Sequence, residues 1–242
     1  MTWWLIQRAI PRAQFALWSL RNPGRSFREF YANSVARSLN NAKRHSSLGS
    51  NLKPDSTKRA QQTFDKLIAQ GILPNDTVVD YGCGTLRIGK LFIEFLDADR
   101  YVGMDIDERI LDAGRSQLPP ALFDSKRPSL EVISIDSLSR VAALNPKWVF
   151  SQGVLQHVPP LELDEYFKNL FPLIHAGATG LIKARIDSRA RRLSTMSWVH
   201  ELGQLEAAAV RHDMKLDRLQ SGGGFMRLRT AGTIDPVSRS EA

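Results

Sequence analysis

Three aspartates stand where short apolar runs end: Asp80 after Val78-Val79, Asp105 after Tyr101-Val102-Gly103-Met104, and Asp136 after Val132-Ile133-Ser134-Ile135. Gly82 and Gly84 follow the first of them, in Asp80-Tyr81-Gly82-Cys83-Gly84-Thr85-Leu86-Arg87. A strand that runs into two glycines and then into a helix can turn sharply and let a ligand approach main-chain atoms. In a parallel α/β sheet such turns gather at the carboxyl ends of the strands, where ligands bind. A carboxylate at 105 can accept both hydrogen bonds of a ribose diol. One at 136 can accept from an adenine amino group while the Ser137 amide serves a ring nitrogen. Each aspartate alone is more often a helix or turn cap; three at successive strand ends, in this order, are hard to obtain by chance.

The next apolar run, Trp148-Val149-Phe150, ends at Ser151 and Gln152, with His157 five residues on. His157 is the candidate general base, because an imidazole titrates near neutrality. Its competing role is a packed histidine bonded to backbone, the commoner fate of a lone His beside Val and Leu. Cys83 suits the turn as a small, weakly polar residue, and no His or Asn in a matching motif would activate it as a nucleophile. No His/Cys/Asp/Glu spacing suggests a metal site. Lys183, Arg185, Arg189, Arg191 and Arg192 follow a later apolar run. They read as a solvated basic loop or, more sharply, as recognition of a phosphate, carboxylate or uronate on a substrate.

These groups need a scaffold, and after residue 55 the chain alternates strand-like and helix-like segments. The spacing predicts helices over 55–70 (capped by Asp55 or Ser56, stopped by Gly71), 85–96, 107–117, 161–171 and 198–212. It predicts strands at Val78–Asp80, Tyr101–Met104, Leu130–Ile135, Trp148–Phe150, Thr179–Ala184, Lys215–Leu219 and Phe225–Arg229. Strand–helix alternation implies right-handed crossovers and a mostly parallel sheet, with the last two strands as an antiparallel edge pair joined by Gly222-Gly223-Gly224. Before residue 55, Trp3, Ile6, Ile10, Ala13, Leu17 and Leu20 recur as one helix face, interrupted at Pro11, and residues 25–45 read as a second helix. The expected organisation is a basic helical extension over 1–54, an α/β domain over 55–232 and a disordered tail over 233–242.

Composition narrows the class. The chain has 242 residues, 43% hydrophobic and 24% charged, which excludes a wholly disordered or fibrous chain. The single cysteine excludes an intramolecular disulfide. No apolar run reaches the ~20 residues that span a bilayer, and the start lacks the pattern of a secretory signal; a cytoplasmic location is expected. Residues 1–60 hold 11 Lys/Arg against 2 Asp/Glu, a net of +9, and the remainder 22 against 23, a net of −1. Residues 1–54 therefore suit either a cover over a substrate pocket or a membrane-surface arm, with the peripheral contact to an anionic membrane made through residues 1–21.

From about residue 55 to 230 the sequence resembles the class I S-adenosylmethionine-dependent methyltransferases, which share a Rossmann-like seven-stranded sheet. The resemblance is carried by Asp80-Tyr-Gly-Cys-Gly84, Gly103-Met-Asp105, Ser134-Ile-Asp136 and Trp148-Val-Phe-Ser-Gln-Gly-Val-Leu-Gln-His-Val158. It implies S-adenosylmethionine as cofactor, Asp80 ordering its methionine end and the loop amides, Asp105 on the ribose, Ile106 against adenine, Asp136 with Ser137 on the adenine edge, and Ser151 and Gln152 beside the methyl. It departs from the family at Leu86, where the acidic-x-Gly-x-Gly-x-Gly pattern has its third glycine. The leading expectation is a methyltransferase acting on a small molecule, lipid or glycan. An RNA or protein acceptor is the alternative, weakened because Asn/Asp-Pro-Pro-Tyr/Phe is replaced by Phe150-Ser-Gln-Gly153. A non-catalytic binding protein is a third. A dinucleotide oxidoreductase lacks support, since Gly-x-Gly-x-x-Gly fails at Arg87.

Overall fold

The computed structural model describes residues 15–39, 54–219 and 224–232, with backbone alone at 54 and 55. The expectations for Trp3, Ile6, Ile10, Pro11 and Ala13, for 40–53, for Gly222-Gly223 and for the tail after 232 lie outside them.

Along the chain come α1 (residues 15–21), α2 (Phe27–Leu39), α3 (Pro54–Ile68), β1 (Val78–Tyr81), α4 (Gly89–Phe95), β2 (Tyr101–Asp105), α5 (Glu108–Arg115), α6 (Pro120–Lys126), β3 (Ser129–Val132), α7 (Ile135–Ala143), β4 (Trp148–Gln152), α8 (Leu163–His175), β5 (Thr179–Lys183), β6 (Arg191–Ser194), β7 (Ser197–Val199), α9 (Leu202–Val210), β8 (Met214–Arg218) and β9 (Phe225–Thr230). Seven strands form one sheet in the order β3-β2-β1-β4-β5-β9-β8. The first five are parallel, and β9 runs antiparallel to both β5 and β8. This is the expected architecture, antiparallel edge included.

The central strands are buried on both faces, and their alternation sorts side chains between two cores. Val79, Tyr81, Val102, Met104 and Val149 meet α7, α8 and α9 through Leu138, Val141, Phe167, Leu170 and Leu205. Val78, Tyr101, Trp148, Phe150 and Leu181 meet α3 and α4 through Leu67, Phe92 and Ile93. Among the described residues no helix is long and apolar enough to cross a membrane.

Several boundaries move. Pro54 opens α3, where a proline loses no helical hydrogen bond, so Asp55 and Ser56 lie inside the first turn instead of capping it. The expected helix at 85–96 begins only at Gly89, because Leu86 adopts the left-handed conformation, φ 59°. β3 stops at Val132, since Ser134 caps α7: its hydroxyl accepts from the Ser137 amide, and Ser137 Oγ accepts from the Ser134 amide. The helix expected at 198–212 starts at Leu202; Trp198 and Val199, both strand formers, belong to the β6–β7 hairpin. On α1, Leu17 and Leu20 face solvent at 54% and 79% exposure, while Phe15 and Trp18 turn inward onto Phe27, Phe30 and Trp198.

Candidate functional site

At the carboxyl ends of β1, β2 and β4 lies a cavity of ≈ 230 Å³. Its floor is the turn after β1. Gly82 and Gly84 both have positive φ, 83° and 57°, and a Cβ on Gly82 would stand 2.1 Å from Val154 Cγ2. The turn is held from β2: the Gly82 and Cys83 amides donate to the Met104 carbonyl at 2.7 and 3.0 Å, and the Gly84 amide donates to Asp105 Oδ2 at 2.7 Å. Asp105 Oδ1 accepts from the Ile106 amide at 2.8 Å. The loop amide expected to depend on Asp80 therefore depends on Asp105.

Asp105 is buried yet lines the cavity. Desolvation pushes its carboxyl up to about 6, opposed by the two amide hydrogen bonds. Each oxygen keeps a further lone pair for a ligand hydroxyl. Asp80 sits behind the turn and outside the lining residues; it accepts from Tyr101 Oη at 2.9 Å, in space that a side chain on Gly89 would fill. Burial raises its carboxyl to about 8.

The opposite wall comes from the segment after β4. Gln152, Gly153, Val154, Gln156 and His157 line the cavity, the last two in a 3₁₀ turn over Leu155–His157. His157 Nδ1 lies 2.5 Å from the Met196 carbonyl, which can only accept, so Nδ1 carries the proton and Nε2 holds the lone pair. Nε2 is 3.1 Å from Gln156 Nε2. Met196 belongs to the β6–β7 turn, which is how that hairpin reaches the site.

The cavity is roofed by α2. Arg28, Tyr31 and Val35 line it; the Tyr31 ring lies 4.9 Å from the His157 ring, and Val35 packs on Ile110. Two links fix the helix. The Phe27 amide donates to Glu162 Oε1 at 2.9 Å, and Arg28 donates to the Ile133 carbonyl at 2.9 Å and to Glu165 at 3.2 Å.

No family model and no curated protein matches the sequence. Solved structures do match. Magnesium protoporphyrin IX methyltransferase ChlM from Synechocystis PCC 6803 with bound SAM aligns over 86% of this chain and 97% of its own, at TM-score 0.55 and 14% identity. Its form with bound SAH gives 84%, 97%, 0.54 and 15%. The CcbJ methyltransferase from Streptomyces caelestis gives 75%, 100%, 0.50 and 11%. The fold is that of the class I S-adenosylmethionine-dependent methyltransferases.

Within that methyltransferase fold, Leu86 stands at the position of the third glycine. It keeps a left-handed backbone, and the space its side chain takes is vacated elsewhere: a Cβ on Gly114 would meet Leu86 Cγ at 2.9 Å, and one on Gly89 its Cδ2 at 3.0 Å. Of the residues singled out in the sequence, Gly82, Gly84, Asp105, Ile106, Gln152 and His157 share the cavity. Asp80, Cys83, Asp136, Ser137 and Ser151 are not among its lining. Asp136 is exposed in the first turn of α7, and the Ser137 amide expected to meet adenine is bonded to Ser134 Oγ at 3.1 Å. Burial pushes the Cys83 thiol up, which keeps it neutral. Sequence reasoning missed Arg28, Tyr31, Val35 and Arg87 as lining residues; the clustering of Phe27, Phe30, Tyr31 and Val35 was the available signal.

Proposed function

We propose that this chain is an S-adenosylmethionine-dependent methyltransferase acting on a small molecule, lipid or glycan. The observation that carries the reading is Asp105: a buried carboxylate at the end of β2, bonded to the glycine-turn amide and open to the same cavity as His157. The cradle suits the cofactor, because Gly82 leaves room for close approach and Asp105 retains acceptor capacity for a ribose diol. Ile106 and Ile133 supply apolar surface for adenine, and the Gly82–Gly84 turn with Asp80 behind it borders the methionine end. When bound, S-adenosylmethionine supplies an electrophilic methyl and its own leaving group.

The chain's contribution is then to position, desolvate and deprotonate the acceptor. α2 excludes water, with Tyr31 and Val35 over the cavity. His157 acts as base through Nε2, its ring held by the Met196 carbonyl and by Tyr31; Gln156 swings aside or orients the acceptor. The acceptor is a small molecule by this reading because α2 roofs the cavity and narrows it to a pocket of ≈ 230 Å³.

Transfer of label from methyl-labelled S-adenosylmethionine into small-molecule, lipid and glycan pools, with RNA and protein pools in parallel, tests the reading. Labelling confined to RNA or protein overturns the acceptor class. For His157→Gln we expect turnover lower by a factor on the order of 10²–10⁴ with cofactor affinity kept. Turnover kept alongside a lower melting temperature would make His157 a packing residue.

A further inference from the structure

We propose that His200 is a positioning residue for His157: its buried ring fastens the β6–β7 hairpin to the 3₁₀ turn that carries His157, a role that rests on the reading of His157 as the base. His200 follows β7 and is 0% exposed. Its Nε2 lies 2.7 Å from the carbonyl of Leu155, the first residue of the Leu155–His157 turn. A carbonyl only accepts, so Nε2 carries the proton and donates it. Burial pulls the pKa of the ring down, which keeps it neutral. Its main chain is tied as well. The His200 amide donates to the Arg185 carbonyl at 2.9 Å, and the His200 carbonyl accepts from the Asp187 amide at 3.0 Å.

The hairpin thus grips the turn at two points. The Met196 carbonyl accepts from His157 Nδ1, and His200 donates to Leu155. A three-residue 3₁₀ turn holds its own shape weakly. Its closing bond, from the Val158 amide, ends on the same Leu155 carbonyl at 3.1 Å. With both grips in place, the Met196 carbonyl stands at a fixed distance from the His157 ring and selects the tautomer whose lone pair is on Nε2. With one grip lost, the turn pivots about the other. Packing alone does not account for a histidine at 200. Its Nδ1 is buried and, among the described residues, has no hydrogen-bond partner. An apolar side chain in the same space would carry no such cost.

Side-chain nitrogen NMR of the full chain tests this role without an acceptor, and His157→Gln assigns the His157 signals by their loss. In the wild type the protonated Nδ1 and the bare Nε2 of His157 should resonate far apart. In His200→Leu, which cannot donate, the two signals should converge as the ring exchanges between tautomers. His200→Gln, whose amide reaches the place of the lost Nε2, should restore their separation. If His200→Leu does not fold, His200→Asn serves, because its shorter amide falls short of Leu155. Signals that stay apart in a folded variant unable to donate, even with a lower melting temperature, overturn the assignment. So does convergence that His200→Gln fails to reverse, or a wild type whose two signals already coincide. Turnover kept in His157→Gln would instead overturn the reading of His157 as the base.

Discussion

The two buried carboxylates at the glycine turn make acidity a residue-scale probe. Burial raises Asp80 to about 8 and Asp105 to about 6. The folded, ligand-free chain thus holds protons that the unfolded chain has released above about pH 4, so stability falls as pH rises through that window and is recovered on acidification. Each group contributes at most about 1.4 kcal/mol per pH unit. Urea unfolding from pH 5 to 8.5 should give a curve for Asp80→Asn that is flatter than wild type, and the difference between the two separates Asp80 from the histidines. Parallel curves would mean that Asp80 is not held in its protonated form.

The departure at Leu86 belongs to the element scale, where a turn and two helices fit together. Leu86 is 2% exposed, strained by its left-handed backbone, and seated against Gly89 and Gly114. Replacing it by glycine relieves about 1 kcal/mol of strain but opens a cavity costing about 2–5 kcal/mol, so Leu86→Gly should destabilise overall. Gly114→Ala should also destabilise, because the new methyl meets Leu86 Cγ at 2.9 Å. The double variant should cost less than the sum of the two, since each change makes room for the other. Additive losses in chemical denaturation would contradict this account. The element pattern itself was readable where strands are buried on both faces and helices are amphipathic. It failed at Trp198–Val199, where strand-forming side chains adjoin a helix and only the pairing with β6 decides. It failed again at Ile135, where a Ser134 cap ended β3 early. The strand-end positions of Gly82, Gly84 and Asp105 followed from local pattern. The roof over them did not, because α2 reaches Ile110 and Ile133 across some 70 to 100 intervening residues.

At the scale of the whole molecule, α2 joins the basic N-terminal region to the cofactor cleft through Glu162 and Arg28. The charge of that region leaves a cover and an anionic membrane contact both open on sequence grounds; Tyr31 and Val35 of α2 line the cavity. Glu162→Ala removes the carboxylate that holds the Phe27 amide, and hydrogen exchange within residues 27–39 should then quicken by roughly tenfold, about 1.4 kcal/mol of local opening. Unchanged protection would mean that Arg28 and the packing of α2 on Trp198 and Ile110 hold the helix without Glu162.

The claim on which the rest depends is that this cleft binds S-adenosylmethionine through Asp105. Isothermal titration of the full-length chain with S-adenosylhomocysteine, wild type against Asp105→Ala, addresses it most directly. The wild type should show saturable one-to-one binding that Asp105→Ala weakens by roughly 1.5–3 kcal/mol, with the variant still folded. Absence of binding to the wild type, or equal affinity in a folded variant, would contradict it.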